Sequence, residues 1–260
     1  MVYLKRFVLM LQFLTSIPVK VNVKAEREDF GKGLAVAPVV GLVIGILLAG
    51  GHYLLQLILP SNIAAIFTVV LYIALTGGLH LDGLGDTADG LFSNRPREKM
   101  LEIMKDSRVG TNAVLVLIIV ILLDISLISS FGSQTAAILL LMPVAGRIGS
   151  LIGSGTSRYA GISDGPGRWC VECCGKNDMI IGLILYFFIF IAITGIKGMV
   201  TMSISSFAFY LLIAAIPPVS AFLLARFLGR KLGGVTGDIL GAVCELNQVI
   251  FLIVMLLLTK

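Results

Sequence analysis

Polar and apolar positions in this chain fall into long blocks rather than a fine alternation. Seven apolar runs stand out, at residues 34–59, 63–79, 112–131, 135–153, 179–196, 205–225 and 239–259. Each is close to the ~20 residues an α-helix needs to cross the hydrocarbon core of a bilayer. The pattern predicts an all-α, polytopic integral membrane protein with about seven transmembrane helices. An earlier apolar stretch, residues 7–17, is too short to cross and is followed by Pro18. It reads as an N-terminal interfacial or re-entrant helix. No small-residue cleavage site follows it, which argues against a signal peptide. Residues 77–91 either extend the second span or form a separate half-helix. No repeat or low-complexity linker divides the chain, so residues 1–260 are read as a single integral membrane domain.

Charge supplies an orientation. Lys5, Arg6, Lys20, Lys24, Arg27 and Lys32 precede or open the first span, and Arg95, Arg97, Lys99, Lys105 and Arg108 follow the second. Arg158, Arg168 and Lys176 follow the fourth; Arg226, Arg230 and Lys231 follow the sixth. With seven spans all of these fall on one side, and the other side receives only Lys197 and Lys260. The rich side is cytoplasmic by the positive-inside rule. The expectation is an integral protein of the cytoplasmic (inner) membrane, N-terminus in and C-terminus out. Hydrophobic residues are 57% of the chain and mean hydropathy is +1.01, which excludes a soluble domain. The net charge of +5 is mostly this topology signal and calls for no nucleic-acid partner.

Only 13% of the chain is charged, yet one segment concentrates acids. Gly77-Gly-Leu-His-Leu-Asp-Gly-Leu-Gly-Asp-Thr-Ala-Asp-Gly90 follows the second apolar run, with Glu102-Ile-Met-Lys-Asp-Ser-Arg108 close behind. Asp82, Asp86 and Asp89 stand at i, i+4 and i+7. At ~100° per residue they fall within a ~60° wedge of a helix. Three carboxylates so close repel one another unless a cation sits among them or some are protonated. Oxygen donors without thiolate suit Mg²⁺, Mn²⁺ or Ca²⁺. The plainer alternative is an acidic first helical turn.

Three further charges lie inside spans: Asp124, Arg147 and Glu245. Arg147 and Glu245 are each six residues from the motif-bearing side, so both are roughly 9 Å deep and able to pair across helices. Arg147 is either a structural ion-pair member or a phosphate clamp at the floor of a cytoplasmic cavity. Asp124 lies nearer the outer face and reads as a snorkelling or hydrogen-bonding carboxylate. Gly233-Gly-Val-Thr-Gly-Asp238 feeds the last helix; such a turn offers backbone N–H groups to an anion, with Asp238 as N-cap. The glycine-rich loop from Arg158 to Arg168 is a lid or a connection. Cys170, Cys173 and Cys174 read as reduced loop thiols and Cys244 as packing.

The acid motif, the Glu102–Thr111 stretch, the opening Phe13-Leu-Thr-Ser-Ile-Pro18 and the late Gly233–Ala242 stretch together resemble the cobalamin synthase family. The matches span nearly the whole chain. One departure is Asn247-Gln248, where the resemblance leads one to expect a glutamate; here Glu245 is the neighbouring acid. The resemblance implies an adenosylcobinamide-GDP ribazoletransferase at the end of vitamin B12 nucleotide-loop assembly. The 3′-hydroxyl of α-ribazole, or of its 5′-phosphate, attacks the cobinamide-side phosphorus of adenosylcobinamide-GDP, and GMP leaves. It also implies Mg²⁺ as cofactor.

The residues fit that chemistry. Transfer at a pyrophosphate needs its charge neutralised and the entering and leaving oxygens held in line. Asp82, Asp86 and Asp89 are the candidate metal ligands. Lys105, Arg108 and Arg147 are candidate pyrophosphate clamps, with Asp106, Thr236, Asp238 and Glu245 as further substrate-binding candidates. His80 or an aspartate takes the hydroxyl proton. Two other classes stand beside this one. A phospholipid-type phosphotransferase using a nucleotide-activated donor also clusters aspartates, but its Ala-Arg after the opening Asp-Gly is absent. A cation-coupled transporter would place its charges at the midplane rather than at one face.

Overall fold

In a computed structural model, residues 2–198 and 204–259 are described. α1 (Val2–Leu14) buries Leu9, Met10 and Leu14 against the bundle. Its Lys5 meets Asp29 of α2 (Arg27–Gly33) at 2.6 Å, and Arg6 meets the same carboxylate at 3.6 Å. Thirteen residues do not cross a bilayer, and these ion pairs hold α1 against the first span, as an interfacial element requires. α2 continues through a 3₁₀ turn, Leu34–Val36, into α3 (Ala37–Gln56).

α4 (Ser61–Thr76) stops at Gly77 and Gly78, both left-handed at φ +61° and +71°. A residue with a Cβ there costs roughly 1–2 kcal/mol. The chain leaves this elbow as α5 (Leu79–Phe92), bent 91° from α4. The acid motif is therefore a separate half-helix. Its 14 residues, roughly 21 Å, turn out of the line of the span instead of prolonging it. α6 (Arg97–Ile103), α7 (Thr111–Ser130), α8 (Thr135–Thr156), α9 (Pro166–Glu172), α10 (Lys176–Gly198), α11 (Ile204–Gly229) and α12 (Gly237–Thr259) complete the order.

Six single segments are long and apolar enough to cross a membrane, and the bent α4–α5 pair makes a seventh. That agrees with the seven apolar runs. α8, α10 and α11 end a few residues beyond their runs, because polar end residues still carry helical hydrogen bonds, whereas α3 and α4 end short of theirs at Gln56 and Thr76. Lys260 and the Lys197 side chain, the two basic groups assigned to the outer side, lie outside the described residues.

α8 is the hub. Its residues from Leu141 to Ser154 are all buried, and it packs against α3, α10, α11 and α12. At one end of the bundle the loops are stitched together. Tyr159 bridges Val235, and Val235 N–H bonds the Arg158 carbonyl at 2.8 Å. Arg97 clips both loops by donating from Nε to the Leu232 carbonyl (2.8 Å) and from Nη2 to the Ala160 carbonyl (3.0 Å).

α5 lies on α12 at the closest backbone approach of the site. A Cβ on Gly83 would stand 2.8 Å from the Asp238 carbonyl oxygen and 2.9 Å from its Cα. Real Cβ atoms do not come so near, so Gly83→Ala pushes α5 off α12. The expected cost is about 1–3 kcal/mol. It should register as a lower melting temperature of the purified variant with a parallel loss of activity. An unchanged melting curve would show that the two helices have slack.

Candidate active site

Two adjoining cavities of about 270 and 280 Å³ open beside α5. Pro166, Gly167, Gly237 and Asp238 line both, so they form one cleft with two chambers. The inner chamber takes His80 and Asp82 from α5, Ser150 from α8 and Phe13 from α1. The outer chamber takes Lys105, Tyr159, Arg168 and Thr236. The fold thus gathers His80, Asp82, Lys105, Thr236 and Asp238 from distant parts of the chain into one groove.

The acids behave differently from one another. Asp82 is exposed in the cleft. Asp86, half-buried on α5, has its carboxyl pushed up to about 7, first by burial and then by the charges of Asp82, Asp238 and Asp89. Asp89 is already engaged. Its Oδ2 accepts the Gly110 N–H at 2.7 Å and its Oδ1 the Ala113 N–H at 3.0 Å, so it caps the start of α7. The oxygens of Asp82, Asp86 and Asp89 do not form a group within 4.8 Å. Among the described residues the ligating atoms that do are those of His80, Cys244 and Glu245.

The cap of α12 is Thr236, not Asp238. The helix opens at Gly237, so the Thr236 carbonyl accepts the Leu240 N–H (3.1 Å) and its Oγ1 accepts the Ile239 N–H (3.2 Å). Asp238 sits inside the first turn, where its Oδ2 accepts from the Thr236 hydroxyl at 3.3 Å, and it lines the cleft alongside Asp82. Lys105 lines the outer chamber. Arg108 does not line the cleft. It forks onto Asp106 through Nε and Nη2, and that pairing draws the Asp106 carboxyl down to about 2.

Beneath the inner chamber lies a sealed polar layer. Arg147 has no exposed surface and no direct ion pair with Glu245. Tyr72 stands between them. Its hydroxyl donates to Glu245 Oε1 at 2.6 Å and accepts from Arg147 Nη1 at 3.3 Å. Gln248 Nε2 donates to Tyr72 Oη (2.8 Å) and Glu245 Oε2 (3.1 Å), and its Oε1 accepts from Arg147 at 3.4 Å. Asn247 ties α12 to the Ala145 carbonyl of α8 at 2.6 Å. The two amides at 247 and 248 therefore do structural work where the resemblance had led to an acid. Arg147 Nε and Nη2 have no partner, and Arg147 does not line the cleft. His80 joins this layer to the cleft: its ring lines the chamber and its buried Nδ1 is 4.0 Å from Glu245 Oε1. Asp124 is buried too, with Oδ1 unpartnered, rather than snorkelling outward.

The Arg158–Arg168 loop is fastened. Asp164 takes an ion pair from Arg27 at 2.7 Å and the Trp169 indole N–H at 2.8 Å. Cys170 lines the inner chamber, but burial pushes its thiol up to about 12, so it is no thiolate nucleophile. Tyr72 and Ser150 escaped the sequence reading. Each lies within a mostly apolar run, and only the packing shows where it points.

Comparison with known proteins bears on what this cleft of aspartates, histidine and lysine takes. The chain matches the model of the cobalamin-5-phosphate synthase family over residues 6–256. It belongs to that family. An "adenosylcobinamide-GDP ribazoletransferase" of Acetivibrio thermocellus is 51% identical, over 97% of this chain and 98% of that protein. A protein of the same name from Clostridium acetobutylicum is 44% identical over 97% and 96%, and one from Alkaliphilus metalliredigens 40% over 98% and 96%. No solved structure matches. As a cobalamin-5-phosphate synthase family member, the chain leaves the phospholipid-type and transporter readings behind.

Proposed function

We propose that this protein transfers the cobinamide phosphate of adenosylcobinamide-GDP to α-ribazole or its 5′-phosphate. It releases GMP and forms adenosylcobalamin or adenosylcobalamin 5′-phosphate. The observation that carries the reading is the cleft itself, in a chain of this family: two aspartates, a histidine and a lysine brought together from α5, α12 and the turn after α6 at one end of a membrane bundle. A new bond forms between the ribazole 3′-oxygen and the cobinamide-side phosphorus, and the bond from that phosphorus to the bridging oxygen of GMP breaks. His80 takes the hydroxyl proton. With Nδ1 turned toward Glu245, Nε2 is the nitrogen left for the cleft, and Glu245 steadies the charged ring. Lys105 meets the pyrophosphate in the outer chamber. Arg147 supports the floor through Tyr72 and reaches substrate only if the floor opens.

The donor set suits Mg²⁺. Asp82 and Asp238 offer hard oxygens from two helices that meet at the inner chamber. Asp82 and Asp238, the two carboxylates that line the inner chamber, would hold the ion, with Asp86 one turn further along α5, although the oxygens of these three do not gather within 4.8 Å; Asp89 serves first as the cap of α7 and contributes by fixing α5. Bound there, Mg²⁺ supplies charge neutralisation at the pyrophosphate. Purified protein given Mg²⁺, adenosylcobinamide-GDP and each form of α-ribazole should release GMP in equal measure with the corrinoid product, read by liquid chromatography. Absence of both products with either ribazole overturns the reading.

We place the cleft on the cytoplasmic side, from the lysine and arginine partition. A reporter fused after Lys260 should be active only outside the cytoplasm. Cytoplasmic activity of that reporter would remove one span from the topology.

A further inference from the structure

Arg158, Arg226 and Arg230 line a cavity of about 600 Å³, walled also by Gly233 and Gly234 of the stitched loops and sharing no lining residue with the cleft. Among the described residues none of the three forms a salt bridge. Arg230 also lines a second cavity, an apolar groove of about 360 Å³ whose walls include Leu84, Leu91, Val116, Phe227 and Leu228. One more wall residue is Thr87, 2% exposed, whose hydroxyl is buried without a hydrogen-bond partner. A basic chamber, an apolar slot and an orphaned hydroxyl therefore share a boundary at the end of α11.

We propose that this composite cavity binds one anionic phospholipid of the surrounding leaflet. The headgroup phosphate lies among Arg158, Arg226 and Arg230, since guanidinium suits phosphate. An acyl chain lies in the groove, and a glycerol ester carbonyl accepts the Thr87 hydroxyl. The charge complementarity selects the occupant: a zwitterionic lipid would bring an ammonium group to three arginines. The groove also has a mechanical meaning. Leu84, Thr87, Ala88 and Leu91 lie, at ~100° per residue, opposite Asp82, Asp86 and Asp89 on α5. The lipid chain fills the back of the helix whose front carries the acids, and so braces it against α12.

The test reads lipid retention, which does not depend on turnover or on the reaction proposed above. Protein is reconstituted in nanodiscs of equal phosphatidylglycerol and phosphatidylcholine, extracted in mild detergent and weighed by native mass spectrometry. Wild type should keep one phosphatidylglycerol about tenfold over phosphatidylcholine. The Arg158→Gln/Arg226→Gln/Arg230→Gln variant should lose that preference, and Val116→Trp, which plugs the groove and leaves the arginines, should lose the lipid as well. If the triple variant does not fold, Arg230→Gln alone, at the shared boundary, should cut retention about threefold. Equal retention of the two lipids, or unchanged retention in the arginine variants, overturns the site. So does loss of the lipid on adding inorganic phosphate or GDP while Val116→Trp retains it, because the arginines then hold a soluble phosphate and not a lipid.

Discussion

Asp82→Asn and Asp86→Asn should each lower turnover at least ~100-fold, the scale on which a single group stabilising a charged transition state is felt. Both variants should insert and melt like the wild type, because neither side chain makes a structural hydrogen bond among the described residues. Asp82 stands exposed in the cleft, and Asp86 is half-buried one turn further along the same helix. Asp89 should behave differently. Asp89→Ala removes the acceptor for two α7 backbone N–H groups and should cost about 1 kcal/mol in stability, as losing a helix cap does. Asp89→Asn keeps an acceptor oxygen and should recover most of that stability. The measurements are thermal melting beside GMP release for all four proteins. If Asp82→Asn kept near wild-type rates and an unchanged Mg²⁺ dependence, the cleft would not be the metal site.

The second large effect concerns the sealed layer. Arg147→Met alone leaves Glu245 buried without its cationic neighbour, and removing one partner of a buried charged network costs about 3–5 kcal/mol. Arg147→Met/Glu245→Gln removes both charges and should fold again, since such a pair is often replaceable by uncharged groups. Turnover should stay low even so, because His80 then faces an amide where Glu245 had been 4.0 Å away. The kinetic split tells the roles apart. A fall in kcat with KM unchanged makes Arg147 a supporting residue acting through Tyr72 and Glu245. A raised KM for adenosylcobinamide-GDP makes it a phosphate clamp. Full recovery of activity would make the whole layer a scaffold.

The spans were legible because crossing a bilayer requires long apolar runs, and nothing in tertiary packing competes with that requirement. The equal depth of Arg147 and Glu245 was legible from helical rise alone. Their direct contact was not found, because Tyr72 sits between them and a tyrosine in an apolar run looks like any other packing residue. Asp89 satisfied the spacing rule for α5, yet its carboxylate went to the first turn of α7, a partner that no periodicity within α5 reveals. Thr236 and Asp238 exchanged roles because a helix start is uncertain by one or two residues, and that decides which side chain caps the helix and which lies within its first turn. The elbow at Gly77–Gly78 was visible as a possible break, but its 91° angle is set by the packing of α5 on α12.

That packing also dictates when the site can exist. α5 is made well before the surface it rests on, Asp238 and Gly241 of α12. A nascent chain halted before Gly237 carries every aspartate of the motif and neither wall of the inner chamber that α12 provides. The inner chamber therefore cannot close until α12 has been made, and a product truncated before Gly237 should be inactive.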